Sequence, residues 1–150
     1  MTALPYHIPV MLGPCIEGLA INPNGIYIDL TFGGGGHSKE ILKHLEKGHL
    51  YGFDQDVDAE ANIPEDARFT FIQANFRDFR KYLRLYGVNQ VDGILADLGI
   101  GATTIAATSA SNQCKSCNGI HCHYLVGDGR SQHCWFRKDR TIHSKGICAT

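Results

Sequence analysis

The chain has 150 residues, 14 Lys+Arg against 15 Asp+Glu, a formal net charge of −1 and 43% hydrophobic residues. That length suits one domain with a moderate core, and no stretch approaches the roughly eighteen apolar residues that a membrane-spanning helix needs. The balanced total conceals a division: residues 1–100 hold 8 basic and 13 acidic side chains and 38 strongly apolar ones, whereas residues 101–150 hold 6, 2 and 9.

Tyr6-His7-Ile8-Pro9-Val10-Met11-Leu12 lies among two prolines, Pro5 and Pro9, too close together for a regular element. No basic region precedes its apolar residues, so a signal peptide is not expected, and the six cysteines of the chain are expected as reduced thiols or metal ligands in a cytoplasmic protein. Cys15-Ile16-Glu17-Gly18-Leu19 reads as a short helix and Pro23-Asn24-Gly25 as a turn. Ile26-Tyr27-Ile28-Asp29-Leu30 is then a short apolar strand, Gly33 to Gly36 are four consecutive glycines, and Ile41, Leu42 and Leu45 share one face of an amphipathic segment. This is strand, glycine loop, helix. A second apolar run, Leu50-Tyr51-Gly52-Phe53, ends in Asp54, about twenty residues past the glycines, the spacing at which a Rossmann-type sheet sets a carboxylate against a ribose.

What the glycines lack narrows the ligand. No Lys followed by Ser or Thr closes the loop as in a phosphate-cradling P-loop, and positions 38 and 39 are Ser and Lys, so no third glycine completes GxGxxG. A pyrophosphate is therefore disfavoured. Asp29 and Asp54 at the ends of adjacent strands suit a ligand with an ammonium, a sulfonium and a ribose diol, a description that S-adenosylmethionine meets. The same residues also fit a Gly-rich turn in an ordinary α/β protein, with Asp54 a solvated strand-end acid.

Further along, Asp56-Val57-Asp58-Ala59-Glu60-Ala61 is helix-compatible and stops near Pro64, and Phe69-Thr70-Phe71-Ile72-Gln73 alternates as a third strand. Ala74-Asn75-Phe76 follows, an amide and a ring where an adenine would lie. Arg77 to Tyr86 sets Phe79, Tyr82, Leu83 and Tyr86 at helical spacing as a core face, with Gly87 as a C-cap. Val91 to Leu98 is a fourth strand with Asp97 at its carboxyl end. Strands alternating with helices predict a parallel, doubly wound α/β sheet with its ligand across the strand carboxyl ends.

The run Tyr6 to Leu12, GIYIDLTFGGGGHS (Gly25 to Ser38), FDQD (Phe53 to Asp56), ANF (Ala74 to Phe76) and VDGILADLGI (Val91 to Ile100) together closely resemble the ribosomal RNA small subunit methyltransferase H family, over residues 6–100. The resemblance implies a Rossmann-like class I methyltransferase half-sheet of about four parallel strands. It implies transfer of a methyl from S-adenosyl-L-methionine to the N4 amine of a cytosine in small-subunit ribosomal RNA, with no DNA or membrane partner. Carried onto matching positions, it implies that Gly35, Gly36 and His37 line the methionine portion of the cofactor, Asp54 takes the ribose hydroxyls and Phe76 flanks the adenine. Asp97 would lie near the methyl donor and is the candidate catalytic residue.

The family pattern then stops. After Asp97-Leu98-Gly99 it expects a pair of serines and a long continuation, where this chain has Ile100-Gly101-Ala102-Thr103-Thr104-Ile105. The expected organisation is a truncated cofactor-binding domain at 1–100 and an unrelated tail at 101–150, irregular or disordered, of frameshifted or misjoined origin, in a chain that does not itself methylate RNA. Five of the six cysteines lie in that tail, where Cys114-x-x-Cys117 with Cys122 and Cys134 offers a zinc knuckle as the rival reading. A third reading keeps the cofactor half as a non-catalytic binding module.

Overall fold

The computed structural model of the chain describes residues 12–97, 121–126 and 132–137. In chain order these form α1 (Leu12–Leu19), β1 (Ile26–Asp29), α2 (Gly36–His44), β2 (His49–Asp54), a 3₁₀ helix (Val57–Asn62), β3 (Phe69–Gln73), a 3₁₀ turn (Phe76–Asp78), α3 (Phe79–Leu85), β4 (Gly93–Asp97), β5 (His121–Val126) and β6 (Gln132–Arg137).

One sheet contains all the described strands in the order β3-β2-β1-β4-β6-β5. The pairs β1/β2, β1/β4 and β2/β3 are parallel, in the register Ile28↔Tyr51, Ile28↔Ile94 and Tyr51↔Thr70. This is the four-stranded parallel unit that the alternation of strands and helices predicts. From β1 the chain steps outward to β2 and β3, then returns to the other side of β1 as β4. The order therefore reverses between β1 and β4, and ligands of such sheets bind outside the strand carboxyl ends at that switch point.

The inner strands β1, β2 and β4 are mostly apolar because both their faces are covered. Tyr27, Leu50 and Leu95 pack with Cys15 and Leu19 of α1 and with Ile41 and Leu42 of α2. Their sequence neighbours Ile28, Tyr51, Ile94 and Ala96 pack with Leu83 of α3 on the opposite face. Phe79 and Tyr82 join that second cluster as their spacing predicts, whereas Tyr86 stays about half exposed against Tyr51, with ring centroids 5.5 Å apart. α3 ends as a Schellman motif: the Val88 N–H donates to Leu83 O at 2.9 Å, the Gly87 N–H to Arg84 O at 3.0 Å, and Gly87 takes φ 73°.

Within the tail, two short segments join the sheet: residues 132–137 pair antiparallel with β4 (Leu95↔Trp135) and residues 121–126 pair antiparallel with β6 (His123↔Trp135), and the rest of residues 101–150 lies outside the described residues. The outer edge of β4 is thus hydrogen-bonded, not left as a bare apolar border. Composition missed this because ladder pairing is a backbone interaction that needs no leucine. Between the strands lies Gly127-Asp128-Gly129-Arg130-Ser131, a sequence rich in hairpin residues. Residues 6–11, Cys114 and Cys117 lie outside the described residues.

Candidate functional site

The carboxyl ends of β1, β2 and β4 carry Asp29, Asp54 and Asp97, and the loop from Leu30 to Gly35 runs over them. Asp29 is buried, with 1% of its surface exposed. Its Oδ1 accepts from the Thr31 N–H at 3.0 Å and its Oδ2 from the Ser38 hydroxyl at 2.7 Å, so this acid joins β1 to the first turn of α2. Burial pushes its pKa up to about 6, against the lowering effect of the Ser38 and Thr31 hydrogen bonds, and the nearby Asp97 charge adds to the rise.

Thr31 has a second role. Its Oγ1 accepts from the backbone N–H of Asp97 at 2.7 Å, which fixes the end of β4 against the start of the loop. Cys15 of α1 lies behind the two acids: burial first, then Asp97 and Asp29, push its thiol up to about 12, so it stays a neutral core residue.

Asp54 holds the glycine loop. Its Oδ2 accepts from the Gly33 N–H at 2.8 Å and its Oδ1 from the Asp56 N–H at 2.9 Å. Each oxygen keeps a second lone pair for an outside donor. From the 3₁₀ helix, Asn62 closes the ring by donating its Nδ2 to Gly33 O at 3.1 Å.

The glycines differ in what they need. Gly35, the N-cap of α2, has φ 76°, and a Cβ there would lie 3.1 Å from the Phe32 ring, so the chain's own packing requires glycine. Gly34 lies outside the left-handed region, is exposed, and a Cβ there would meet nothing within 4 Å. Neither strain nor packing against the described residues calls for glycine at 34, and the missing side chain lets a ligand such as an adenosyl group with an amino-acid end come close to the backbone beside the strand-end carboxylates.

The remaining sequence candidates are distributed around this loop. Gly36 opens α2, and His37 is buried in its first turn. Phe76 is half-buried against the α3-side core, just after Asn75, whose Nδ2 donates to Gln55 Oε1 at 3.2 Å and links the ends of β2 and β3. Asp97 is half-exposed at the end of β4. The structure therefore brings Asp29, Thr31, Asp54 and Asp97 around one loop, with Gly35, Gly36 and His37 where it enters α2 and Phe76 further out along the strand ends. Sequence reasoning missed Thr31, Ser38 and Asn62. For Thr31 the signal was present, since Asp-x-Thr is a spacing at which an Asp side chain caps the N–H two residues on.

Of the zinc candidates, Cys122 and Cys134 lie on adjacent strands but are not register partners: Cys122 pairs with Phe136, and Cys134 with Tyr124 and Ala96. Among the described residues no group of three or more His, Cys, Asp or Glu is arranged to hold a metal ion.

Comparison with known proteins bears on what this loop belongs to. The chain is 61% identical over 99 residues to ribosomal RNA small subunit methyltransferase H of Parabacteroides distasonis, across 65% of this chain and 32% of that protein. It spans about a third of the length of the curated relatives it matches. Among solved structures, an rRNA methylase from Streptococcus thermophilus superposes with a TM-score of 0.57 at 12% identity, over 93% of this chain and 99% of that one. Fibrillarin from Aeropyrum pernix, determined with natively bound S-adenosyl-L-methionine, superposes with a TM-score of 0.52 at 11% identity, over 87% of this chain and 75% of that one. At such identities these two likenesses show a shared methyltransferase-type fold. The match to a family model is closer in kind: it runs over residues 5–109, through every strand-end acid and the whole glycine loop, and the chain belongs to the MraW methylase family.

Proposed function

We propose that this chain carries the cofactor side of an S-adenosyl-L-methionine-dependent methyltransferase that acts on the N4 amine of a cytosine in small-subunit ribosomal RNA, in the cytoplasm. The observation that carries the reading is the set of carboxylates at the strand ends beside the switch point, with Asp54 holding the glycine loop through Gly33 and Asp97 tied to the same loop through Thr31, in a chain of a methylase family. No helix among the described residues is long and apolar enough to cross a membrane.

In this reading Gly35, Gly36 and His37 line the methionine portion of the cofactor, Asp54 uses its remaining lone pairs on the ribose hydroxyls, and Phe76 flanks the adenine. The bound cofactor supplies an electrophilic methyl group. The cytosine amine is a weak nucleophile because its lone pair is delocalised into the ring, so the base must be extruded, freed of water and aimed. Asp97 then accepts an N–H of that amine while positive charge develops on nitrogen. We assign the grip on the cytosine to the length of the relatives that this chain's match does not span, about two thirds of it. Residues 101–150 form, in composition, a second segment, which adds β5 and β6 to the sheet edge.

Titration calorimetry with S-adenosyl-L-methionine tests the cofactor part, and no heat at millimolar ligand refutes it. Labelled cofactor with small ribosomal subunits that lack the cytosine methyl tests the transfer. The chain alone is expected to bind without transferring; label on that cytosine above a no-enzyme control would show that it also completes the base site.

A further inference from the structure

We propose that the outward face of α3 and its lead-in turn, carrying Arg77, Arg80, Lys81 and Arg84, is an RNA-backbone contact surface. The inference rests on the reading that the chain acts on RNA and adds where the polyanion lies. These four residues fall at i, i+3, i+4 and i+7, one stripe of a helix, while Phe79, Tyr82 and Leu83 form the opposite stripe and pack into the core.

All four cations are exposed, and none lies within ion-pair distance of a carboxylate among the described residues. Of the other basic residues, Lys43 is paired with Glu40 and Arg68 with Asp66. Residues 1–100 carry an excess of acid, 13 against 8, yet half of their basic side chains fall between positions 77 and 84, beside one acid, Asp78. A solvated helix face is expected to mix both signs; this one does not.

The stripe spans about 10 Å at 1.5 Å per residue, which matches about three phosphates of one strand at roughly 3.4 Å of axis each. Three of the four are Arg, whose planar fork suits phosphate oxygens. A lipid surface fits less well, because the apolar stripe that would enter a bilayer is already packed against the sheet.

The test uses the full chain and a fluorescein-labelled RNA hairpin, with anisotropy read between about 50 and 200 mM salt. Each neutralised phosphate contributes a slope of about −0.7 to −0.9 in log K against log salt, so Arg80→Gln/Lys81→Gln/Arg84→Gln should flatten the slope by about 2 to 3 and weaken low-salt binding tenfold or more. Gln keeps helix propensity. Arg80→Lys/Arg84→Lys should retain most binding, and Lys43→Gln/Lys47→Gln, on another element, should leave the slope unchanged. An unchanged slope in the triple variant overturns the proposal, as does equal binding to anionic phospholipid vesicles that the same substitutions abolish. Calorimetry with S-adenosyl-L-methionine separates the two readings: RNA binding lost with cofactor binding intact supports the stripe, no RNA binding by the parent chain overturns it and leaves the cofactor reading standing, and stripe-dependent RNA binding without cofactor binding keeps the stripe and removes the cofactor reading.

Discussion

Thr31 stands between two carboxyl residues: its backbone N–H donates to Asp29 Oδ1 at 3.0 Å, and its Oγ1 accepts from the backbone N–H of Asp97 at 2.7 Å. One residue thus joins the ends of β1 and β4 at the switch point. Thr31→Val keeps the shape and the backbone bond to Asp29 but removes the side-chain acceptor, leaving the Asp97 N–H short of a partner. We expect a loss of about 1–3 kcal/mol in urea unfolding, most of it restored in Thr31→Ser. Equal stability of the Val and Thr proteins would show that the clasp is not formed in solution.

Asp29 makes stability depend on pH with a sign opposite to that of most carboxyls. Its folded-state pKa is pushed up to about 6 from an ordinary 3.8, so the folded state favours the protonated form. The contribution is fully present below about pH 4, falls as pH rises through about 6 and is level above, a span of about 3 kcal/mol. Asp97 and Cys15 are the titratable groups facing it, and the thiol stays neutral across that window. Asp66, held down at about 2 chiefly by its hydrogen bonds from Arg68, acts in a separate window: its contribution is present above about pH 4 and is lost on further acidification. Comparison of the parent with Asp29→Asn should therefore show the parent's relative stability declining between about pH 4 and 6. A flat difference would mean that the carboxyl is hydrated.

The three strand-end acids were legible in the sequence because each follows an apolar run, and a parallel sheet places the ends of such runs together. Gly87 was legible as a cap because a helical apolar period stops just before it. What Asp54 does was not legible: it holds the glycine loop through the Gly33 N–H, 21 residues away in the chain, a matter of loop geometry that no periodicity encodes. The pairing of β6 with β4 was hidden for a different reason, since residues 132–137 sit in a segment whose apolar density is low and backbone pairing leaves no mark on composition.

Asp54→Ala should weaken S-adenosyl-L-methionine binding by about ten- to a hundredfold, the worth of a charge-assisted hydrogen bond of roughly 1.5–3 kcal/mol. The structure adds that the substitution also frees the Gly33 and Asp56 N–H groups. A ligand lacking the ribose hydroxyls distinguishes the effects: if Asp54 acts on the ribose, the variant and the parent should bind the dideoxy analogue with nearly equal affinity. An undiminished gap would assign the loss to the loop.

Gly34→Ala and Gly35→Ala should separate binding from folding. At Gly35, φ 76° and a Cβ contact of 3.1 Å with the Phe32 ring make alanine strained and crowded, which should cost about 1–2 kcal/mol or more and lower the melting temperature. At Gly34 the backbone lies outside the left-handed region and a Cβ meets nothing within 4 Å, so alanine should leave stability unchanged or raise it by about 0.4–1 kcal/mol through the unfolded chain. A ligand lying on that backbone would sense the added methyl. Calorimetry with S-adenosyl-L-methionine on Gly34→Ala, together with its melting curve, therefore reads the site directly: a parent-like or higher melting temperature with affinity down by tenfold or more places the cofactor on this loop. Unchanged affinity would mean that the ligand, if one binds, does not lie on the backbone at Gly34.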